Sequence, residues 1–477
     1  MTNAVERDRR VTAAESPRIP ASGDPAHPAA DAREPYDRAA DDRAAADRAP
    51  RRIYVTDCEG PLTRNDNAQE IATAFLPHGA ELFARLSRYD DLLADVLHRP
   101  GYNAGDTLRL LPPFLVAFGV SDEQVMELSA GNVLMVPGAA ELLVELQTLL
   151  PCFIISTSYT PYIRALCDVV GFPFEHCRCT TLSLDAWQLP DAEKVRLRAW
   201  AARIVERPVI DIPDDAASID ALTAQDRETV TELDRLFWTE MAGSGPHPET
   251  EMDDQDAGPE AEPAPRPIVS RQPEAGPCLP VAGPESAGGS LPVAGGPPES
   301  AGSLPVAGEL LATVRPVGGG MKLGALQEII AGQGVGADQV MYVGDSITDA
   351  PPLAAVRAWG GVAVSFNGNG YALAAAEIAA AGSSVAPVLE LARAFAVGGP
   401  QAARHLAATW PAGPARAGND RPGFTGAPCG AGGAPAAIAG DASDGVAGLI
   451  ERDREALIAA SLAARTSVRG ERVARLG

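Results

Sequence analysis

Asp57 and Glu59 stand one residue apart in the fragment VTDCEGPLT, directly after a short β-branched and aromatic run. If the chain turns after a strand there, both carboxylates face one site, where one can attack as a nucleophile and the other can move protons. Taken alone, the pair reads first as an acidic strand-to-loop turn. A second fragment, FIISTSYT, ends an apolar run in Ser156, Thr157 and Thr160 just ahead of a helix pattern. Hydroxyl and backbone N–H groups at such a junction hold anions such as phosphate, and helix capping is the plainer role of Thr160. Lys322, in GGGMKLGAL, opens a further helix; Lys194 and Lys322 are the lysines of a chain whose 39 basic residues are otherwise arginine. The last fragment, MYVGDSITDAPPL, places Asp345 and Asp349 behind an apolar strand. Carboxylates at a strand end, near a second strand-end aspartate, suit a hard divalent ion such as Mg²⁺.

Parallel strands would bring these four places together, and the surrounding sequence supplies the pattern. IYVTD from Ile53 is of strand type, and CFIIST is a continuous apolar run of the kind buried on both faces of a parallel sheet. Between them Ala72, Phe75, Leu76, Leu82, Phe83 and Leu86 recur at helical spacing. Ser121 with Gln124 forms a capping-box pattern beside Val120, and Pro137 opens the amphipathic stretch PGAAELLVELQTLL. Gly171 closes the helix PYIRALCDVVG. Later, Met321 to Ile330 predicts a helix, Val340 to Val343 a strand, Ala350 to Ala358 a helix and Gly361 to Phe366 another strand. Such alternation specifies an α/β class with a Rossmann-like, doubly wound parallel sheet, which binds ligands at the carboxyl ends of its strands.

In this order, strand–Asp-x-acid-Gly, strand–Ser/Thr, Lys and strand–Gly-Asp-(x)₃-Asp resemble the four-motif set of the haloacid dehalogenase (HAD) superfamily of phosphatases and phosphotransferases. STSYT is similar to the SGGFT segment of phosphoserine phosphatases. More narrowly, DCEGPLTRNDNAQE and GDTLRLLPPFL resemble a branch whose methanogen members are known as subunit R of energy-converting hydrogenase A. The resemblance covers residues 53–185 and 310–397. It implies a HAD fold and a Mg²⁺-dependent phosphomonoester hydrolase acting on a small phosphorylated metabolite. Carried onto this sequence, it implies that Asp57 attacks phosphorus to form an aspartyl-phosphate, and that Glu59 protonates the leaving oxygen and then activates water. Ser156 and Lys322 would bind the phosphoryl oxygens, with Thr157 beside them. Mg²⁺ would be held by Asp57, the backbone carbonyl of Glu59 and Asp345, with Asp349 in or next to its ligand set. Pairing with Lys322 would keep Asp57 ionised at neutral pH.

Glu59 departs from most phosphatases of the superfamily, which carry aspartate there. One methylene moves the carboxylate by roughly 1.5 Å, and misplacements near 1 Å can cost about 100-fold in rate. Either the pocket is built around Glu59 or turnover is slow. With the hydrogenase-subunit resemblance, this departure supports a second reading, a non-catalytic HAD-fold binding or regulatory subunit of a larger complex.

The expected organisation is a HAD core over 51–63, 136–184 and 309–398, with a helical cap over 64–135. Arg64, Asn65, Asp66 and Asn67 leave the active-site loop first, so Arg64 and Asn65 are the expected substrate contacts; loop and N-cap chemistry is their plainer role. Residues 185–243 read as an acidic helical insertion and 244–308 as a disordered linker. From Ser244 to Gly308 there are 10 Gly and 14 Pro in 65 residues, and LPVAG recurs at Leu279, Leu291 and Leu304. Residues 1–50 read as a disordered tail, and 399–477 as a low-complexity tail with an isolated helix over 447–466.

Residues 211–275 hold 17 acidic and 4 basic groups, more than half of the net charge of −24, which makes the insertion the expected docking place for a protein partner. That overall charge argues against coating nucleic acid, whose affinity comes from basic patches. No apolar run approaches the about 20 residues that span a bilayer, and MTNAVERDRR lacks a signal-peptide core, so a cytoplasmic location is expected. Seven scattered cysteines do not make a disulfide framework. Cys177 and Cys179 in EHCRC have no second pair at zinc-site spacing and read as part of an ordinary strand.

Overall fold

A computed structural model of the protein describes residues 51–213, 216–241, 303–410 and 445–474. The expected tail over 1–50, residues 242–302 of the linker region and residues 411–444 lie outside the described residues. The described chain is mostly helical around one seven-stranded sheet. Its strands are β1 (Ile53–Thr56), β2 (Cys152–Tyr159), β3 (Cys177–Thr180), β4 (Val340–Gly344), β5 (Val362–Phe366), β6 (Ile378–Gly382) and β7 (Gly445–Leu449). They lie in the order β3-β2-β1-β4-β5-β6-β7, with β1 to β6 parallel and β7 antiparallel to β6.

Side-chain alternation explains why these strands read as unbroken apolar runs. Ile53, Val55, Ile155, Val340 and Tyr342 pack on one face with the helices Gly319–Gln333 and Ala350–Ala358, while Tyr54, Ile154, Met341 and Val343 pack on the other with Ala139–Leu149, Thr160–Val170 and Ala386–Thr409. A sheet covered on both faces leaves no polar side. The chain winds outward from β1 to β3, then returns to place β4 beside β1. This reversal opens a crevice at the carboxyl ends of β1 and β4.

Local signals acted largely as expected. The Ser121–Gln124 capping box forms, and Gly171 closes its helix with φ 66°. Two details differ. Pro137 lies ahead of its helix, separated from it by Gly138 in a left-handed turn (φ 82°). Thr160 begins the next helix without capping it; its hydroxyl donates instead to the Thr180 carbonyl, tying β2 to β3. Cys177 sits with its Sγ 3.6 Å from that of Cys167, and Cys179 lies beside Thr160.

A second layer stands over the carboxyl end of the sheet. The helices Asn67–Phe75, Gly79–Asp91, Pro112–Ala117 and Asp122–Gly131 share one apolar cluster with Asp191–Glu206, Ala224–Asp234 and Pro305–Thr313. The acidic insertion is therefore part of the cap rather than an appendage at its edge. Its carboxylates are partly engaged inside this layer: Glu232 with Arg203 and Arg207, Glu240 with Arg196, Arg235 and Trp200. Glu193 accepts the backbone N–H of Ala307 at 2.9 Å and so anchors the start of Pro305–Thr313. The third LPVAG copy thus folds as the start of a buried cap helix. Gly308 is needed there, because a Cβ would stand 1.9 Å from the Met241 carbonyl oxygen. The core resumes after this helix, not at 309.

The largest departure is at the C-terminus. The helix Ala386–Thr409 carries order well past 398, and the predicted isolated helix is not isolated. β7 adds to the sheet edge, and the helix Ile450–Ala474 runs over the sheet, burying Ile450 and Leu457 in the same cluster as Val340 and Tyr342.

Candidate active site

Asp57 leaves β1 with its N–H bonded to the Val343 carbonyl of β4, which sets it at the mouth of the crevice. Its Oδ1 accepts the Cys58 N–H at 2.6 Å, and its Oδ2 lies 2.7 Å from Lys322 Nζ. Lys322 is wholly buried and reaches Asp349 Oδ1 at the same 2.7 Å. Its helix starts this close because of the glycines before it: a Cβ on Gly318 would stand 2.2 Å from the Ala104 carbonyl oxygen of the cap. Burial opposes the ammonium charge, but Asp349 and Asp57 outweigh it and keep Lys322 protonated.

Asp349 has no oxygen to spare. Oδ1 also accepts the Tyr342 hydroxyl, and Oδ2 accepts the N–H groups of Asp345 and Ser346 and the Ser346 hydroxyl. Burial opposes its charge, but Lys322 first, and then these donors, hold the Asp349 carboxyl below its usual range. Asp57 behaves differently. Burial, then Asp349, push its carboxyl well above the usual range, and Lys322 only partly opposes them. Lys322, shared between two carboxylates, opposes that rise from 2.7 Å.

Asp345 follows β4 and is buried. Its Oδ2 accepts two guanidinium groups from the C-terminal helix: Arg465 Nη1, and Arg469 Nη1 at 3.1 Å. Arg465 also donates to the Asp345 carbonyl at 3.1 Å, and Arg469 to the Asn65 carbonyl at 3.0 Å. The other carboxylate oxygen, Oδ1, is buried with no hydrogen-bond partner. Ligand oxygens of Asp57, Asp345 and Asp349 all lie within 4.8 Å of one another. An all-oxygen donor set with one orphaned carboxylate oxygen fits a hard divalent cation such as Mg²⁺.

Gly60 lets Asp345 approach. Its φ is +105°, and a Cβ there would lie 2.2 Å from Asp345 Oδ2. Gly60→Ala is expected to destabilise the fold by about 2 kcal/mol or more, through backbone strain plus displacement of Asp345. A denaturant titration checks it: an unchanged midpoint would refute the assigned crowding.

Glu59 accepts the N–H of Asn67, the first residue of helix Asn67–Phe75, at 2.7 Å. The cap thus fixes the longer side chain at the edge of the cleft. Burial first, then the charge of Asp66, push its carboxyl up to about 8, so it carries a proton at neutral pH as a general acid must. Ser156 and Thr157 line the same cleft. Ser156 Oγ contacts Ser158 Oγ and accepts the Ser158 N–H, whereas Thr157 donates to the Val317 carbonyl.

Arg64 and Asn65 do not line the cleft. Arg64 is exposed, and Asn65 is a buried structural residue whose amide bridges Glu70, the Asn132 carbonyl, the Leu134 N–H and the Tyr162 hydroxyl. Their types suited a loop, and tertiary packing used them there. Asp66 does line the cleft, while also capping its helix through the Gln69 N–H.

The cap lines the cleft with Phe83, Ser87, Asp90, Asp91, Thr107 and Leu108, around a cavity of about 110 Å³ that stays open to solvent. That is small beside typical ligand pockets of about 300–1,000 Å³. Asp90 accepts the Gly105 N–H, and burial, then Asp91, raise its carboxyl to about 8. The unfolded chain releases that proton near pH 4 and the folded chain keeps it, so stability should fall as pH rises from about 4 to 8, by up to about 1.4 kcal/mol per pH unit from this group. Asp90→Asn should flatten the slope, read from unfolding midpoints at pH 5.5 and 7.5; an identical slope would contradict it.

No family model matches the chain, and no curated protein matches it either. Among solved structures it is similar to gene product AF1437 from Archaeoglobus fulgidus, at 22% identity and a TM-score of 0.60, over 90% of this chain and 99% of that one. This likeness shows the fold. Among the described residues, no helix is long and apolar enough to cross a membrane.

Sequence reasoning missed Arg465 and Arg469. Their spacing of four on one helix face was a visible signal, but nothing local tied that helix to residues more than a hundred positions earlier.

Proposed function

We propose that the protein is a Mg²⁺-dependent phosphomonoester hydrolase of HAD type, acting on a small phosphorylated metabolite. The observation that carries this reading is the buried Asp57–Lys322–Asp349 bridge beside Asp345, at the mouth of a cleft that Glu59 and Ser156 also line. Asp57 is placed to attack phosphorus as the P–O bond to the leaving group breaks, and the leaving oxygen takes the Glu59 proton. Glu59, now a base, then takes a proton from the water that cleaves the aspartyl-phosphate, which restores both residues. Lys322 holds Asp57 in place and offsets charge on the phosphoryl oxygens, and Ser156 and Thr157 supply polar groups in the same cleft. Mg²⁺, bound by Asp57, Asp345 and the Glu59 carbonyl with Asp349 behind them, would supply charge neutralisation of the phosphoryl group.

The reading is tested with an aryl phosphate and a panel of small phosphate monoesters. Phosphate release that needs Mg²⁺ and stops with a chelator is expected. A second reading, a HAD-fold binding or regulatory subunit, is favoured by one observation: Asp345 is already held by two guanidinium groups. A stable co-purifying partner with no release across the panel would favour it instead.

A further inference from the structure

The three carboxylates of the cluster, two of which would bind a divalent cation directly, are already matched by three cations of the chain itself. Lys322 bridges Asp57 and Asp349, and Arg465 and Arg469 converge on Asp345. Arg465 is as buried as the carboxylate it holds, and Arg469 is 8% exposed. The helix that carries them is attached in two parts. Its first half packs by Ile450 and Leu457, and Ser461 donates to the Gly368 carbonyl. Its second half is held by charge, through Asp345 and the Asn65 carbonyl, with Val468 packed against the core between the two arginines, and it breaks at Gly470 (φ 80°). Apolar anchoring therefore dominates the first half, and ionic contacts to Asp345 are confined to the second.

We propose that Arg465 and Arg469 are resident counter-cations of the site, so that a divalent cation and the docked end of the C-terminal helix compete for Asp345. The proposal rests on the reading that the carboxylate cluster binds a divalent cation. Its physical basis is direct. A guanidinium within hydrogen-bond distance of a metal-binding carboxylate repels an incoming double charge and occupies one of its oxygens, and at low dielectric such repulsion is large. Metal binding would weaken the ionic half of the docking while Ile450, Leu457 and Ser461 keep the helix on the sheet. The last helix would thereby set the metal affinity of the site.

Calorimetric titration of Mg²⁺ into the full chain tests this, with wild type, Arg469→Gln, Arg465→Gln/Arg469→Gln and Arg465→Lys. Tighter binding is expected in Arg469→Gln and at least tenfold tighter binding in the double variant. Arg465→Lys, which keeps the charge, should stay near wild type. The more exposed Arg469→Gln keeps the test open if the double variant does not fold. In wild type, saturating Mg²⁺ should also speed amide exchange over residues 462–470 and leave 450–458 protected. Unchanged or weaker Mg²⁺ binding in the glutamine variants, or no change in exchange, would overturn the proposal and leave the phosphatase reading standing. Failure of every form to bind Mg²⁺ would overturn both.

Discussion

Asp57→Asn should lower Mg²⁺-dependent hydrolysis of an aryl phosphate by about 10³-fold or more, while leaving the protein folded. The expectation follows from the role assigned to the carboxylate. An amide is isosteric but a poor nucleophile, and removing the group that forms the covalent intermediate leaves only binding and electrostatic assistance. The fold should tolerate the change, because the amide still has an oxygen to accept the Cys58 N–H bond now made to Oδ1. Burial also already opposes the charge of this carboxyl. Initial rates and a thermal melt on the same preparations check both halves. Equal activity in the two proteins would show that phosphate release, if present, does not pass through Asp57.

Lys322→Met should be the most destabilising single change in the site. Lys322 Nζ lies 2.7 Å from both Asp57 and Asp349, with the lysine and Asp349 side chains wholly buried. Removing one partner of a buried ion pair costs about 3–5 kcal/mol, since an uncompensated charge remains in a medium that solvates it poorly. Asp57 can escape by taking up a proton, whereas Asp349, wholly buried, loses the cation that most favours its charge. The double variant Lys322→Met/Asp349→Asn should therefore recover part of the loss. Urea unfolding of the single and double variants measures it; a loss in Lys322→Met below about 1 kcal/mol, the range of an exposed pair, would refute the assigned burial.

Much of the fold was legible because its signals are local. Apolar runs of four to eight residues bounded by turns marked β1, β2, β4 and β5, and their continuity already implied a sheet covered on both faces. The strand-end residues Asp57, Glu59, Ser156 and Asp345 were legible for the same reason, since each follows such a run, and Lys322 stood out as a rare lysine at a helix start. The size of the cap was less so. Its helices at 191–206, 224–234 and 305–313 come from distant parts of the sequence and join only through apolar contacts that no short window displays. Composition also misled: an LPVAG copy identical to those of a low-complexity stretch became a buried helix start, because Glu193 and Met241 meet it in space.

What the sequence determined alone was the chemistry on offer: two carboxylates after one strand, hydroxyls after the next, a rare lysine, and two aspartates after a third. Tertiary structure decided how these charges are shared. It gave Lys322 to two carboxylates at once, saturated Asp349, fixed Glu59 to a cap helix and turned Arg64 and Asn65 away from the cleft. It also brought two arginines of the final helix onto Asp345. The physical reason is that charge balance in a buried site depends on distances of a few ångströms between groups hundreds of residues apart, and residue type and local spacing carry no record of those distances.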